Sequence, residues 1–185
     1  MQVTHDKKIY DSLWLPRPLC ADPGLKRWLL DRGSLTQRIH ARCDRFHVVL
    51  HSQRASTLRY EERVPVGAHR PRRCLVREVS LNCGATPVVF AHSVVGPRGL
   101  DGPWRMLRSL GTRPLGAALF ADPLVERCKL RYRKLRSGHA LYRDACGLLD
   151  DPPAFLWARR SLFVLRRSRL LVTEVFLPSI LALDS

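Results

Sequence analysis

The last apolar run of the chain contains a single carboxylate. Residues 170–178 read LLVTEVFLP, a segment that is rich in β-branched and aromatic residues and ends in proline. Such a segment is too short for a membrane helix and predicts a buried strand. With a period of two residues, Glu174 shares a face with Leu170, Val172 and Phe176. Because an unpaired carboxylate is costly in apolar surroundings, we expect Glu174 to face a cavity, a cation or a polar ligand.

A second predicted strand carries the opposite charge on an apolar face. Residues 74–81 read CLVREVSL, and their alternation places Arg77 with Leu75 and Val79. Two strands that each carry one ion among hydrophobic residues indicate a cavity over a sheet. The alternative is a structural ion pair between Arg77 and Glu174, because perturbed charges also occur in structural networks. The residues alone leave both interpretations open.

Two hairpins are predicted around these strands. The Arg77 strand is followed by a turn and by the apolar residues 87–95, which predicts a β-hairpin. Residues 157–165 lead through a short polar turn into residues 170–178 and predict a second hairpin. An antiparallel sheet follows from these two pairs.

Helices are predicted where apolar residues recur at helical spacing. This spacing occurs over residues 25–31 and again over residues 104–110. Ser34 and Gln37 match a capping box, so a further helix begins at about Leu35.

The remaining segments have weaker patterns. Residues 46–52 and 57–62 alternate enough to predict two more strands, and the Pro-, Gly- and Arg-rich residues 64–73 predict a loop. The basic residues 126–150 predict a solvated helix and a loop. Together the elements predict an α+β fold with a single antiparallel sheet of about six strands, and the composition favours one domain, 1–185.

The strong positive charge of the chain narrows the class of partner. The chain has 32 Lys and Arg against 16 Asp and Glu, a formal net charge of +16. This favours polyanions, anionic membrane surfaces or small anionic substrates. The basic residues are dispersed and no nucleic-acid-binding motif surrounds them, so we predict no nucleic acid partner.

The sequence predicts neither a metal site nor a membrane span. No Cys-x-x-Cys pair occurs among the cysteines, and we interpret them as reduced packing residues rather than zinc ligands or a disulfide framework. They are Cys20, Cys43, Cys74, Cys83, Cys128 and Cys146. His47 and His51 lie in a strand-like segment and are interpreted as surface residues. No apolar run of about 18 residues and no signal-peptide pattern occurs, so we expect a cytoplasmic protein.

Residues 111–116, GTRPLG, are unusual because two glycines and a proline lie between apolar runs. Such a segment can bring bare backbone amides close to a ligand. The alternative is a plain connector between helices, which the local pattern alone favours.

Five segments occur in the order typical of one enzyme family. They are SLTQR at 34–38, VREV at 76–79, LGTRPLGAALF at 110–120, WARRS at 157–161 and LLVTEVFLP at 170–178. Together they resemble the chorismate pyruvate-lyase family over roughly residues 29–178. That family converts chorismate to 4-hydroxybenzoate and pyruvate in ubiquinone biosynthesis, without a metal or organic cofactor.

The resemblance implies a set of site residues. Arg77 holds the ring carboxylate with help from the backbone amides of Leu35 and Leu115, and Glu174 meets the ring hydroxyl. A planar guanidinium and the amides at a helix start both suit a carboxylate. The resemblance also implies helical flaps that cover a buried ligand cavity. We expect a monomer whose partners are the small-molecule substrate and products.

Two features depart from the family pattern. His92 stands where the family usually has Arg, which changes any anion contact or charge balance at that position. Residues 129–155 are longer than the family pattern and would alter a flap if they form one.

Two other functions are considered. A non-catalytic module that binds small aromatic acids, related to the effector-binding domain of GntR-type repressors, would use a similar fold; we expect no winged-helix domain before residue 30. A basic nucleic-acid-binding protein would explain the charge but leaves Arg77 and Glu174 unexplained.

Overall fold

The computed structural model describes residues 13–19, 22–68, 70, 73–96 and 99–184. Its α-helices are α1 (Pro23–Leu30), α2 (Leu35–His40), α3 (Tyr60–Val66), α4 (Leu115–Ala121) and α5 (Ala140–Cys146). Its 3-10 helices are Arg105–Ser109 and Pro178–Asp184. Its strands are β1 (Phe46–Thr57), β2 (Arg73–Cys83), β3 (Thr86–Val95), β4 (Glu126–Arg127), β5 (Arg131–Leu135), β6 (Leu156–Leu165) and β7 (Ser168–Phe176). Within these ranges no helix is long and apolar enough to cross a membrane.

The strands form one antiparallel sheet of seven strands. Their order is β1-β2-β3-β7-β6-β4, and β5 pairs with β6 beside β4. Both predicted hairpins, β2–β3 and β6–β7, are confirmed, and β3 pairs with β7 to join them. The α+β prediction is therefore confirmed. The Arg77 and Glu174 strands lie two positions apart in the sheet, with only β3 between them.

The helix starts follow from local side-chain caps. Asp22 accepts hydrogen bonds from the amides of Gly24 and Leu25 at the start of α1. The Ser34 side chain accepts from the amide of Gln37 and begins α2, as the capping pattern predicts. Both caps are satisfied within four residues, and the sequence identified the cap at Ser34, whereas it predicted only a turn at Asp22.

The predicted strand at 57–62 is wrong. Strand β1 continues to Thr57 with a bulge between Leu50 and Ser52, and the helix α3 then begins at Tyr60. The Glu62 carboxylate accepts a hydrogen bond from the amide of Arg59, which is half of a capping box. Part of the predicted loop at 64–73 also belongs to α3, and the residues 69, 71 and 72 lie outside the described ranges.

The predicted solvated helix at 126–150 is wrong in its first half. Residues 131–135 form β5 at the edge of the sheet, where Tyr132 and Leu135 are buried. Basic side chains are tolerated there because an edge strand leaves alternate positions in water. The helix α5 follows, with its first turn at Ala140.

The interpretation of all cysteines as reduced is wrong for one pair. Cys43, just after α2, forms a disulfide with Cys83 at the end of β2, across 40 residues of sequence. Cys128 and Cys146 are free thiols, Cys74 is a buried cysteine outside this disulfide, and Cys20 lies outside the described residues. A Cys-x-x-Cys pattern concerns cysteines that are close in sequence. Its absence therefore says nothing about disulfide partners that are distant in sequence and adjacent only in the fold.

Candidate active site

A pocket lies between the sheet and two helix starts. Its floor consists of side chains from β1, β2, β3, β7, β6 and β4, and about 540 Å³ of its space is free of atoms, part of it open to solvent. Residues 33–36, before and within α2, and residues 114–120, before and within α4, form the cover. The cover provides the helical flaps that were expected.

All four predicted site residues line this pocket. Arg77 and Glu174 belong to the floor, and Leu35 and Leu115 belong to the cover. Most of the other lining residues are apolar, so the few charged groups stand out. The structure thus brings together residues from four separate parts of the chain.

Arg77 is a buried cation without a counter-ion in the described part of the chain. Its side chain is only 2% exposed, and Nη2 donates to the carbonyl oxygens of Gly111 at 2.8 Å and Arg113 at 3.1 Å. Its Nε is buried and donates no hydrogen bond to any of the described residues. Burial lowers the pKa of Arg77 to about 10, so the side chain is still charged at neutral pH. The unusual segment 111–116 therefore holds this arginine in the pocket.

Glu174 is paired with an arginine other than Arg77. Arg159 lies directly opposite it on β6, and Arg159 Nε donates to Glu174 Oε2 at 2.5 Å. No hydrogen bond from a described residue reaches Oε1. The alternative of a structural ion pair between Arg77 and Glu174 is therefore contradicted.

Sequence reasoning missed the role of Arg159. The side chain is fully buried, and Nη1 donates to the carbonyl oxygens of Trp28 at 3.0 Å and Asp31 at 2.7 Å, at the end of α1. The neighbouring Arg160 lies against the ring of Trp14, with its Cζ 4.4 Å from the ring centroid. Two arginines in a predicted buried strand were a signal that one of them must meet a carboxylate.

Arg127 is a second arginine that sequence reasoning missed. It lies on β4 and lines the pocket, although the sequence assigned it to a solvated segment. Its Nε donates to Ser161 Oγ at 3.1 Å, and its Nη1 donates to the carbonyl oxygen of Arg32 at 2.7 Å. Burial lowers the pKa of Arg127, and the charge of Glu174 acts in the opposite direction.

The two helix starts of the cover meet at a glycine. A Cβ atom at Gly116 would lie 3.1 Å from both Ser34 Oγ and Thr36 Oγ1. Only glycine allows this approach without displacement of its neighbours. Leu35 and Leu115 are the first residues of α2 and α4, and the N-cap Pro114 makes no side-chain cap. As first helical residues, Leu35 and Leu115 have backbone amides without an intrahelical carbonyl partner.

His92 lies on the other face of the sheet. Its neighbours Ala91 and Ser93 line the pocket, whereas His92 Nε2 lies 2.9 Å from Glu62 Oε1 and His92 Nδ1 lies 3.0 Å from Glu78 Oε1. Burial alone lowers the pKa of His92, but the two carboxylates outweigh this effect and raise it. At the position where the family usually has Arg, this chain thus has an internal charge cluster rather than an anion contact in the pocket.

Solved structures share the fold. The effector domain of PhnF from Mycobacterium smegmatis matches with a TM-score of 0.59 and 13% identity, covering 81% of this chain and 91% of that one. A GntR-family transcriptional regulator from Bacillus cereus matches with a TM-score of 0.55 and 8% identity, covering 73% and 93%. At this level of identity the likeness concerns the fold alone.

Sequence relatives are much more similar. A probable chorismate pyruvate-lyase from Nitrosomonas europaea is 48% identical over 167 residues, which cover 90% of this chain and 94% of the relative. One from Nitrosospira multiformis is 49% identical over 173 residues, covering 93% and 96%. The family profile described as chorismate lyase matches residues 10–183. With the pocket lined by Arg77 and Glu174, this match establishes that the chain belongs to the chorismate lyase family.

Proposed function

We infer that the protein is a chorismate pyruvate-lyase, which converts chorismate to 4-hydroxybenzoate and pyruvate in ubiquinone biosynthesis. Membership of the family supports the reaction. The observation that supports the site is the uncompensated guanidinium of Arg77 in a mostly apolar pocket. A buried cation without a carboxylate partner is stabilised by an anionic ligand.

We propose that this ligand group is the ring carboxylate. Arg77 binds it through the guanidinium, and the backbone amides of Leu35 and Leu115 donate to the same group from the cover. A charge-assisted hydrogen bond contributes roughly 1.5–3 kcal/mol. The covered pocket removes water from these bonds, which strengthens them.

Glu174 then receives the ring hydroxyl, which lies at the opposite end of the ring from the carboxylate. Because Arg159 occupies Oε2, the hydroxyl donates to Oε1. The ion pair fixes the direction of the carboxylate and keeps its charge compensated in the absence of substrate.

The reaction needs orientation more than strong acid or base chemistry. The ether C–O bond breaks, the carbon that bears the hydroxyl loses its hydrogen, and the electron pair of that C–H bond completes the aromatic ring. The hydrogen goes to the enolpyruvyl arm in a concerted reaction or to Glu174 in a stepwise one. Positioning and electrostatic stabilisation accelerate both routes.

The non-catalytic alternative has weaker support. The described effector-domain neighbours are 8% and 13% identical to this chain, whereas the lyase relatives are 48% and 49% identical. The sharing of a fold does not transfer a function.

The test is direct. Purified protein is mixed with chorismate in excess EDTA, and the ultraviolet absorbance of 4-hydroxybenzoate is followed. We expect turnover by the wild type, unaffected by EDTA, and strongly reduced turnover by Arg77→Ala. Binding of chorismate without product formation would support the non-catalytic alternative.

We further propose that the enzyme acts as a cytoplasmic monomer without nucleic acid. The substrate and products proposed above are small water-soluble acids. Light scattering after size exclusion, with and without added DNA, tests the oligomeric state and the nucleic acid prediction.

A further inference from the structure

Chorismate carries two carboxylates, and the site proposed above accounts for one. The second lies on the enolpyruvyl arm and is absent from 4-hydroxybenzoate. The charged residues that line the pocket are Arg77, Arg127 and Glu174, and the Glu174 charge is already balanced by Arg159. Among the described residues neither Arg77 nor Arg127 forms a salt bridge, although the charge of Glu174 acts on Arg127, so the pocket offers two guanidinium groups to a dianion.

We propose that Arg127 binds the carboxylate of the enolpyruvyl arm and so distinguishes the substrate from the aromatic product. This assignment rests on the proposed function and adds a second anion subsite to it.

The order of strands supports the assignment. The strand order in this part of the sheet is β2-β3-β7-β6-β4. The Glu174 strand, β7, therefore lies two strands from the Arg77 strand, β2, and two strands from the Arg127 strand, β4. Neighbouring strands are about 4.8 Å apart, so the axes of β2 and β4 each lie roughly 10 Å from the axis of β7. Along β6, the partner of Arg127 is Phe163 and the partner of Glu174 is Arg159, and the Arg127 side chain reaches back to Ser161 between them. In chorismate the carboxylate and the hydroxyl lie at opposite ends of the ring, and the arm is attached beside the hydroxyl. If the ring carboxylate binds Arg77 and the hydroxyl binds Glu174, the enolpyruvyl arm starts near Glu174. The other arginine that lines the pocket is Arg127.

The Arg127 side chain is held in place but retains a donor. Its Nε and Nη1 are bound to Ser161 Oγ and to backbone carbonyl oxygens before α2. Its Cζ lies 5.4 Å from the ring centroids of both Phe120 and Phe163, which also line the pocket. No hydrogen bond from Nη2 and no salt bridge of Arg127 occurs within the described ranges. A positioned guanidinium with a free donor is suited to a carboxylate.

A purely structural role for Arg127 makes a different prediction. Because Nη1 binds the carbonyl oxygens of Arg32 and Gly33, loss of the side chain could loosen the cover. A loosened cover would weaken the binding of chorismate and of 4-hydroxybenzoate alike. Loss of the arm subsite would weaken the binding of chorismate alone, since the product has no enolpyruvyl arm.

The experiment compares Arg127→Gln and Arg127→Lys with the wild type. We measure KM and kcat for chorismate, the Kd of 4-hydroxybenzoate and the Tm. For Arg127→Gln we expect KM to rise roughly 10- to 100-fold, the range of one charge-assisted bond, while the Kd of the product changes less than about threefold. Arg127→Lys, which keeps the charge, is expected to recover part of the loss.

Two controls make the result specific. Arg136→Gln removes the same charge at an exposed position outside the pocket and reports any effect of net charge. Arg77→Ala is expected to weaken both ligands.

The proposal is overturned if Arg127→Gln weakens both ligands equally or neither of them, or if both Arg127 variants fail to fold. If the wild type does not turn over chorismate, the proposed function fails, and equilibrium binding of chorismate and 4-hydroxybenzoate to the same variants still decides the Arg127 assignment.

Discussion

Arg159 and Glu174 face each other across β6 and β7, and Arg159 Nε donates to Glu174 Oε2. The arginine is fully buried and also binds backbone carbonyl oxygens at the end of α1, so it cannot turn away from the carboxylate. The pair thus fixes Glu174 from behind and leaves Oε1 available to the pocket. Positioning by a buried partner explains how a carboxylate is maintained among apolar residues.

Loss of Arg159 is expected to destabilise the protein. Arg159→Met leaves Glu174 as a poorly compensated charge, and removal of one partner of a buried pair typically costs about 3–5 kcal/mol. Urea unfolding measures the free energy of unfolding. The double variant Arg159→Met/Glu174→Leu is expected to recover part of that loss, because neither charge remains. Equal stability of the single and double variants would show that the pair is not the cause.

Arg77→Ala is expected to weaken both chorismate and 4-hydroxybenzoate about ten- to a hundredfold. Both ligands carry the ring carboxylate, and both lose the same charge-assisted bond. Calorimetric titration with 4-hydroxybenzoate measures the loss, and circular dichroism checks the fold. Unchanged product affinity in a folded variant would exclude Arg77 as the carboxylate-binding residue.

Glu174→Gln separates an orienting role from a base. Glutamine keeps the shape and an acceptor oxygen but loses the charge. If Glu174 only accepts the ring hydroxyl, kcat should fall about tenfold, as for a weakened hydrogen bond. A general base would show a loss of roughly 10²–10⁴-fold. We expect the smaller effect, because Arg159 already engages the carboxylate.

Both kcat and the Kd of 4-hydroxybenzoate are measured for Glu174→Gln. The control is Glu126→Gln, which makes the same change at an exposed position. A collapsed rate with intact product binding would show that Glu174 takes the proton.

The buried cluster around His92 predicts a pH dependence of stability. The pKa of His92 is raised, so its contribution is fully present below its unfolded value of about 6.5 and is lost as the pH rises through the folded value. Burial raises the pKa of Glu62, but the hydrogen bond and charge of His92 together with Arg59 outweigh burial and lower that pKa. The His92 hydrogen bond is also the main cause that lowers the pKa of Glu78. The contribution of these two carboxylates is present above about 4.5 and is lost as the pH falls.

We therefore expect the contribution of this cluster to the free energy of unfolding to be highest between about pH 4.5 and 6.5. Arg59, which pairs with Asp144, and Arg54 also act on the cluster. His92→Gln should flatten the decline above pH 6.5, and His47→Gln, at an exposed histidine, should not. Unfolding curves at several pH values test this, and an unchanged decline in His92→Gln would contradict it.

The Cys43–Cys83 disulfide predicts a redox dependence of stability. A cross-link over 40 residues restricts the unfolded chain. Such a disulfide typically adds about 2–4 kcal/mol to the free energy of unfolding. A reducing agent should lower the Tm of the wild type but not that of Cys43→Ser/Cys83→Ser. Cys74→Ala, at a buried cysteine outside the Cys43–Cys83 pair, is the control that keeps the disulfide. An equal effect of the reducing agent on wild type and double variant would exclude the disulfide.

The sequence by itself determined the local features of this protein. The period of two placed Arg77 and Glu174 on apolar faces, and the caps at Asp22 and Ser34 are satisfied by amides a few residues away. The two hairpins were predictable for the same reason, since a short turn joins strands that are neighbours in the chain. Such patterns depend on interactions within about ten residues.

Only the tertiary structure decided which charged groups meet. Arg159 is the partner of Glu174 because β6 and β7 pair in one register, and a shift by one residue would place Arg160 opposite it. Arg127 reaches the pocket because β4 lies beside β6. Cys43 meets Cys83 because the segment after α2 leads into β1, whose first residue Phe46 pairs with Cys83. These contacts depend on strand order and register across the whole chain, which no local period encodes.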